Sequence, residues 1–419
     1  MNKTTHTPRP GYKRTPLGWI PEEWEVVPLK KLIHINPSKR KLDSNTKVSF
    51  LGMADVSEDG KVTGGEERTF ADVENGFTFF ADEDILVAKI TPCFENGKGA
   101  LVTTLINGIG FGSTEFHVLR AKEKIDNKYL YYHTRTQAFR GRGEQNMTGS
   151  AGQKRVPKNF IETYPIPLPP LPEQRRIAAI LSTWDRAIEL TQQLIAAKTQ
   201  QKRALMQRLL TGRVRVPGFS GPWQEVKLGE VCKTYSGGTP SRKKVEYFKG
   251  TIPWIKSGEL NQKCVTSVEE KISLEAIENS SAKYVDKGTI LIALYGATAG
   301  VVAITDIKAT INQAILAVIP NKEIKKDFLF FLLDFIVPIE VNRLAQGGQP
   351  NLNANMIKNL TISFPYLPEQ TAIARILTTA DAEITLLERW LAALQAQKRG
   401  LMQVLLTGKI RVKMEEKSS

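Results

Sequence analysis

The chain has 419 residues, of which 41% are hydrophobic and 24% charged; that is enough for two or three domains with cores of their own, in ordinary globular proportions. Its 58 Lys+Arg against 43 Asp+Glu give a formal charge of +15, which suits a polyanionic partner, most often nucleic acid. Cys93, Cys232 and Cys264 are widely spaced and form no CxxC or Cys/His cluster, so neither a disulfide framework nor a zinc site is supported and a reduced, cytoplasmic compartment is expected.

In chain order, Met1 to Thr15 is polar and basic and lacks the apolar stretch of a signal peptide. Trp24-Glu25-Val26-Val27-Pro28-Leu29 opens a first variable region. Within it, residues 84–88 and 116–119 are short apolar runs between Gly, Asn and Pro, which predicts strands of a mixed or antiparallel sheet. A short helix is expected at 128–139. From Leu171 the period changes: Ile177, Leu181, Trp184, Ile188, Thr191, Ile195, Lys198, Lys202, Leu205 and Leu209 step by four and three alternately, a heptad seam that asks for a partner helix. Pro172 and Glu173 suit its first turn and Gly212 its left-handed stop.

Trp223-Gln224-Glu225-Val226-Lys227-Leu228 then echoes the first start. Residues 289–294 and 314–318 predict strands, and 326–341 a helix broken at Pro338. A second seam comes next: Ile373, Leu377, Ala380, Ile384, Leu387, Leu391, Leu394, Lys398, Leu401 and Leu405, closed by Gly408. The stretch from Leu171 to Val216 matches Leu367 to Val412 without gaps at about 26 of roughly 46 positions, so the chain is an internal repeat.

The expected fold is α+β. Two globular mixed α/β domains, 1–170 and 213–366, are joined by two long helices, 171–212 and 367–408, with a tail at 409–419. Because the helices are separated by a whole domain, paired seams must run antiparallel, and a pseudo-two-fold results. Each helix would be about 57 Å long at 1.5 Å per residue.

Catalytic signatures are absent. There is no GxxxxGK[ST], no GxGxxG after a strand and no GxSxG. Asn36-Pro37-Ser38 lacks the second proline and aromatic of an amino-methyltransferase loop. His6, His34, His117 and His133 have no metal spacing, and Glu269 with Lys271 is an isolated ExK, read as solvated charge. The pattern argues for binding, not catalysis. Gly-rich basic loops are the candidate readers: Gly149-Ser150-Ala151-Gly152-Gln153-Lys154-Arg155, preceded by Arg135, Arg140 and Arg142, in the first region; Thr239, Ser241, Arg242 and Lys243 after Ser236-Gly237-Gly238, and Gln346, Gln349 and Asn351, in the second. Arg and Lys can pair with guanine, Gln and Asn with adenine, and Ser/Thr with phosphate or base edges.

With these residues in place the chain resembles the DNA-specificity (S) subunit of type I restriction–modification systems. The resemblance rests on Gly11-Tyr12-Lys13-Arg14-Thr15 through Trp24, on the Leu-Pro-Glu-Gln to Leu-Leu-Thr-Gly helices, and on Ser236 to Ser241, Trp254-Ile255-Lys256-Ser257-Gly258-Glu259-Leu260 and Tyr295-Gly296-Ala297-Thr298-Ala299-Gly300. Lys89-Ile90-Thr91 stands in the first region where Tyr295 stands in the second, which adds Lys89, Lys256, Ser257 and Tyr295 to the candidate DNA contacts. The resemblance implies two target-recognition domains, each reading half of a bipartite double-stranded site. It also implies helices that set the spacer and dock two methyltransferase subunits, with two restriction/translocase subunits completing the assembly. No cofactor is expected on this chain; S-adenosylmethionine, ATP and Mg²⁺ would belong to the partners. Two other readings stay open: a self-contained restriction or methylation enzyme, and a coiled-coil DNA-binding scaffold without sequence preference.

Overall fold

The computed structural model describes residues 9–150, 152–344 and 351–413. The chain divides into two compact units, Met1–Thr191 with Trp390–Ser419 and Gln192–Arg389. Each unit therefore takes one variable domain and half of each long helix.

In the first unit a four-stranded antiparallel sheet has the order Ile33–Ile35, Phe116–Ala121, Ile85–Ala88, Gly99–Leu101. All four residues of Ile85–Ala88 are buried, because both faces of the sheet are covered. Ile85 and Val87 join the cluster of Leu119, Tyr129 and Leu130, whereas Leu86 and Ala88 join Phe80, Phe116 and Val118. Alternate side chains thus serve two cores, and the strand reads as an unbroken apolar run. A second sheet, Glu66–Thr69, Lys47–Leu51, Ile109–Gly112, Thr78–Ala81, pairs its middle strands in parallel.

The second unit repeats the plan. Its first sheet runs Cys232–Ser236, Ile315–Pro320, Ile290–Ala293, Val302–Thr305, with Cys264–Val265 added at the edge, and its second runs Lys271–Ile272, Ile252–Ile255, Ala309–Ile311, Lys283–Val285. Every pairing keeps the direction of its counterpart in the first unit, including the parallel middle pair.

Two helix expectations are corrected. Residues 128–139 are not one helix: Asn127–Thr134 ends, and Gln137–Gln145 begins afresh under the cap of Thr136, whose side chain accepts from the Phe139 N–H. The helix Lys326–Leu344 is not broken at Pro338. Phe328, Leu329, Leu332, Leu333, Val337 and Val341 bury on one core on both sides of the proline. Those side chains contribute roughly 1.5–3 kcal/mol each, which outweighs a proline penalty of about 3 kcal/mol.

The long helices are Leu171–Leu209 and Leu367–Leu405, 39 residues each. They stop three residues short of Gly212 and Gly408, which take the left-handed turn at φ +68° and +69°. No position of either heptad seam is exposed. In the first unit Asp185 pairs with Lys398 and Glu173 with Arg411; in the second Asp381 pairs with Lys202 and Glu369 with Arg215. Numbers rise on one helix as they fall on the other, so the halves run antiparallel within each unit. The polar seam residue Lys202 is thus matched across the seam, as is Lys198 with Glu383 at 2.7 Å.

The repeated Leu-Pro-Glu-Gln is explained by two buried side chains. Gln174 accepts from the Asp126 N–H at 2.8 Å and donates to the Lys124 and Pro169 carbonyls at 3.1 and 2.8 Å. Gln370 accepts from the Lys325 N–H at 2.7 Å and donates to Glu323 and Pro365 at 2.9 and 2.8 Å. Each amide ties its long helix to the backbone of the preceding domain with its acceptor and both amide protons engaged. The neighbouring glutamate grips the segment after the opposite helix. Glu173 accepts from Arg411 Nη2 at 2.9 Å and from Trp24 Nε1 at 3.1 Å, and Glu369 from Arg215 Nη2 at 2.6 Å. Arg411 and Arg215 are both raised above the ordinary guanidinium range, chiefly by those hydrogen bonds.

Candidate nucleic-acid interface

In the first unit the chain leaves the buried strand Ile85–Ala88 at Lys89, whose N–H donates to the Glu115 carbonyl at 2.9 Å and whose carbonyl accepts from the Val156 N–H at 2.8 Å. Thr91 N–H donates to the Lys154 carbonyl at 2.9 Å, and Thr148 and Arg155 exchange backbone bonds at 3.0 and 2.8 Å. The loop carrying Ser150, Gln153 and Lys154 is thereby seated beside Lys89, and all three of its side chains are exposed. Arg155 is the latch of that loop. Its guanidinium meets Glu115 at 2.7 Å, and the bond holds the Glu115 carboxyl below the ordinary carboxylate range.

Arg135 and Arg140 do not join this rim. Arg140 is 8% exposed and donates to the Thr134 and Phe94 carbonyls at 2.9 and 3.1 Å. Burial pushes it down to about 9, still charged at neutral pH. Arg135 donates to the Gly97 carbonyl and, at 2.6 Å, to that of Glu58. The two arginines are committed to the protein, holding the 94–98 turn from within; Arg140 is therefore corrected from outward reader to internal strut. The reason is helical phase: Phe139, Arg140 and Gly143 form the buried face of Gln137–Gln145. Arg142, on the other face, is exposed and lies 5.9 Å from the Tyr164 ring centre.

The second unit builds the same rim with other residues. Leu294 N–H donates to the Ala314 carbonyl and its carbonyl accepts from Leu352 N–H, both at 2.8 Å. These bonds put half-buried Tyr295 and exposed Asn351 where Ile90 and Arg155 stand in the first unit. Gln346 and Gln349 lie outside the described residues. Gln313, next to Ala314, accepts from the Thr239 hydroxyl. Beside them Glu270 gathers two predicted cations, Lys256 at 2.8 Å and Arg242 at 2.9 Å. Arg242 also lies 4.3 Å from the Phe248 ring centre and 5.3 Å from that of Trp254. The Lys256 hydrogen bond, first among its causes, lowers the Glu270 pKa.

Gly237 and Gly238 are required by crowding: a Cβ on them would lie 1.8 Å from the Ile311 carbonyl oxygen and 2.5 Å from the Ser281 backbone. Ser241 and Lys243 are exposed on the same loop, and Ser257 is half-buried at the start of Ser257–Gln262. Sequence reasoning missed Glu115, Glu270 and Gln313, which orient the candidate donors; Glu115 is 40 positions from Arg155, Glu270 is 14 from Lys256 and 28 from Arg242, and Gln313 is 74 from Thr239, so no local signal marks them.

The rims are polar, with charge-assisted pairs that pre-position cations, a donor set suited to phosphates and base edges. Among the described residues no group of His, Cys, Asp and Glu could hold a metal ion, and no helix is long and apolar enough to cross a membrane.

Comparison with known proteins agrees with the repeat. The family model described as type I restriction modification DNA specificity domain matches residues 21–198 and again 220–396. The EcoAI specificity subunit of Escherichia coli is 46% identical over 162 residues, 38% of this chain and 27% of that protein. The EcoEI subunit is 42% identical over 39% of this chain and 28% of its own length, so the match to these two spans about a quarter of each. The MjaVIII subunit of Methanocaldococcus jannaschii is 28% identical over 94% of both chains. Among solved structures, the type I S subunit from M. genitalium shares the fold at TM-score 0.56 and 17% identity, over 93% of this chain and 96% of that one. A chain from a type I restriction–modification assembly does so at TM-score 0.63 and 22% identity, over 93% and 99%. Matched twice along most of its length, the chain belongs to the type I restriction–modification DNA-specificity family.

Proposed function

We propose that this chain is the non-catalytic DNA-specificity subunit of a type I restriction–modification complex. Each variable domain reads one half of a bipartite duplex site, and the paired long helices set the unread spacer and dock two methyltransferase subunits. Restriction subunits complete the assembly, and S-adenosylmethionine, ATP and Mg²⁺ act on the partners. The observation that carries this reading is that one fold plan presents two rims of different chemistry, while the helices that join them are copies of one another.

The proposed DNA contacts are Lys89, Arg142, Ser150, Gln153 and Lys154 in the first domain, and Thr239, Ser241, Arg242, Lys243, Lys256, Ser257, Tyr295, Gln346, Gln349 and Asn351 in the second. Arg155 orients its loop through Glu115. The exposed members Lys154 and Lys243 suit phosphates, and the amides of Gln153 and Asn351 suit adenine. Co-expression with the cognate methyltransferase subunit, followed by mapping of N6-methyladenine, tests the proposal. A split, asymmetric motif is expected. Methylation or cleavage by this chain alone, or a motif without a gap, overturns it.

A further inference from the structure

The first domain holds a loop that no local motif marks as a reader. In the second domain the edge strand Cys232–Ser236 runs into Pro240-Ser241-Arg242-Lys243-Lys244, which carries proposed contacts. The counterpart strand in the first domain is Ile33–Ile35, paired antiparallel to Phe116–Ala121 as Cys232–Ser236 is to Ile315–Pro320. That strand leads, after Asn36, into Pro37-Ser38-Lys39-Arg40-Lys41. Proline, a hydroxyl and three cations thus follow the counterpart strand in both domains, beginning two residues after Ile35 and four after Ser236.

Local structure presents the loop outward. Asn36 takes the left-handed conformation at φ 53°, and its side-chain oxygen accepts from the Val118 N–H at 2.9 Å while its own N–H donates to the Val118 carbonyl at 2.8 Å. This double clip turns the chain away from the sheet. Ser38, Lys39, Arg40 and Lys41 are all exposed. Lys39 donates to the Glu74 carbonyl at 2.5 Å, which leaves its charge uncompensated, and neither Arg40 nor Lys41 forms an ion pair with a described residue. Lys39 also lines a cleft of about 260 Å³ together with Lys89 and Thr114. In the second domain, by contrast, Arg242 is neutralised by Glu270.

We infer that Lys39, Arg40 and Lys41 grip the phosphodiester backbone of the duplex beside the half-site read by the first domain, with Lys89 lining the same cleft as Lys39. The inference rests on the proposed function and assigns it a backbone clamp. Three uncompensated cations meeting phosphates release counterions, and each neutralised phosphate contributes about 0.9 to the slope of log affinity against log salt.

The test compares the wild-type methyltransferase complex with the Lys39→Ala/Arg40→Ala/Lys41→Ala variant on a duplex carrying the mapped site, titrated across salt. The expected result is a slope shallower by roughly 2 to 3 units and affinity at least about tenfold weaker at physiological salt, with both halves of the methylated motif and the unfolding midpoint unchanged. An unchanged slope and affinity overturns the inference. Should the triple variant be destabilised, Arg40→Gln and Lys41→Gln separately are each expected to remove about one unit of slope, and no change in either is equally fatal. If the wild-type complex methylates no bipartite site, the proposed function fails. The clamp is then judged by the slope of the full chain alone on random duplex, where the same loss is expected and its absence refutes the loop.

Discussion

The two units solve one structural problem with unequal means. Both close the end of a long helix with a buried glutamate, an arginine from beyond the opposite helix, and a tryptophan. In the first, Trp24 is wholly buried and its Nε1 donates to Glu173. In the second, the indole nitrogen of Trp223 is buried with no hydrogen-bond partner among the described residues, and Arg215 lies 5.8 Å from its ring centre. One joint uses its tryptophan as a donor, whereas the other uses it as a packing surface. Equal sequence motifs therefore do not imply equal energetics.

The buried amides are the sharpest place to test that symmetry. Gln174→Ala and Gln370→Ala each strand two carbonyls and one N–H, at about 1–3 kcal/mol per unsatisfied group, so each is expected to cost at least about 3 kcal/mol in denaturant unfolding. Near-equal losses would confirm that the joints match at this level, and a loss under about 1 kcal/mol in either would break the equivalence. The tryptophans should then part company. Trp24→Phe removes a hydrogen bond to a buried carboxylate and some packing, expected to cost about 2–3 kcal/mol. Trp223→Phe removes an unsatisfied donor, which offsets its packing loss and keeps the change within about 1 kcal/mol. Similar values for the two would refute the distinction.

Smaller effects fall on the rims. Glu270→Gln releases Lys256 and Arg242 and is expected to relax only the second half of the methylated motif, with unfolding altered by no more than about 0.5 kcal/mol; a change in the first half would contradict separate reading. Acid should act on both rims alike. Arg155 lowers the Glu115 pKa and Lys256 lowers that of Glu270. A depressed carboxylate contributes above its unfolded pKa and loses that contribution as pH falls through the folded value. Motif fidelity should accordingly be flat between about pH 6 and 8 and decline only in the acid range where carboxylates protonate. A fidelity change near neutral pH, read by methylation mapping, would point to other groups.

Legibility in the sequence tracks the range of the interaction that sets each feature. The heptad seams and the buried strands are written in neighbours three, four or two residues apart, and the structure places them there, whereas the helices end at Leu209 and Leu405, three residues before their glycines. Arg140 is misplaced by a local reading because its neighbours Arg135 and Arg142 suggest a basic cluster, while its burial depends on a helix start at Thr136 that the periodicity does not reveal. Pro338 reads as a break from its own chemistry, although the core around Phe328 and Val341 holds the helix through it. The rims are legible as loops, but the carboxylates that orient their cations come from other parts of the fold.

The joint made by Gln174 and Gln370 touches only main-chain atoms: the carbonyls of Lys124 and Pro169 and the N–H of Asp126 in one case, those of Glu323, Pro365 and Lys325 in the other. Main-chain groups are present whatever side chains surround them. The bonds made by these two amides therefore survive any change of side chain at those six positions that keeps the same backbone path.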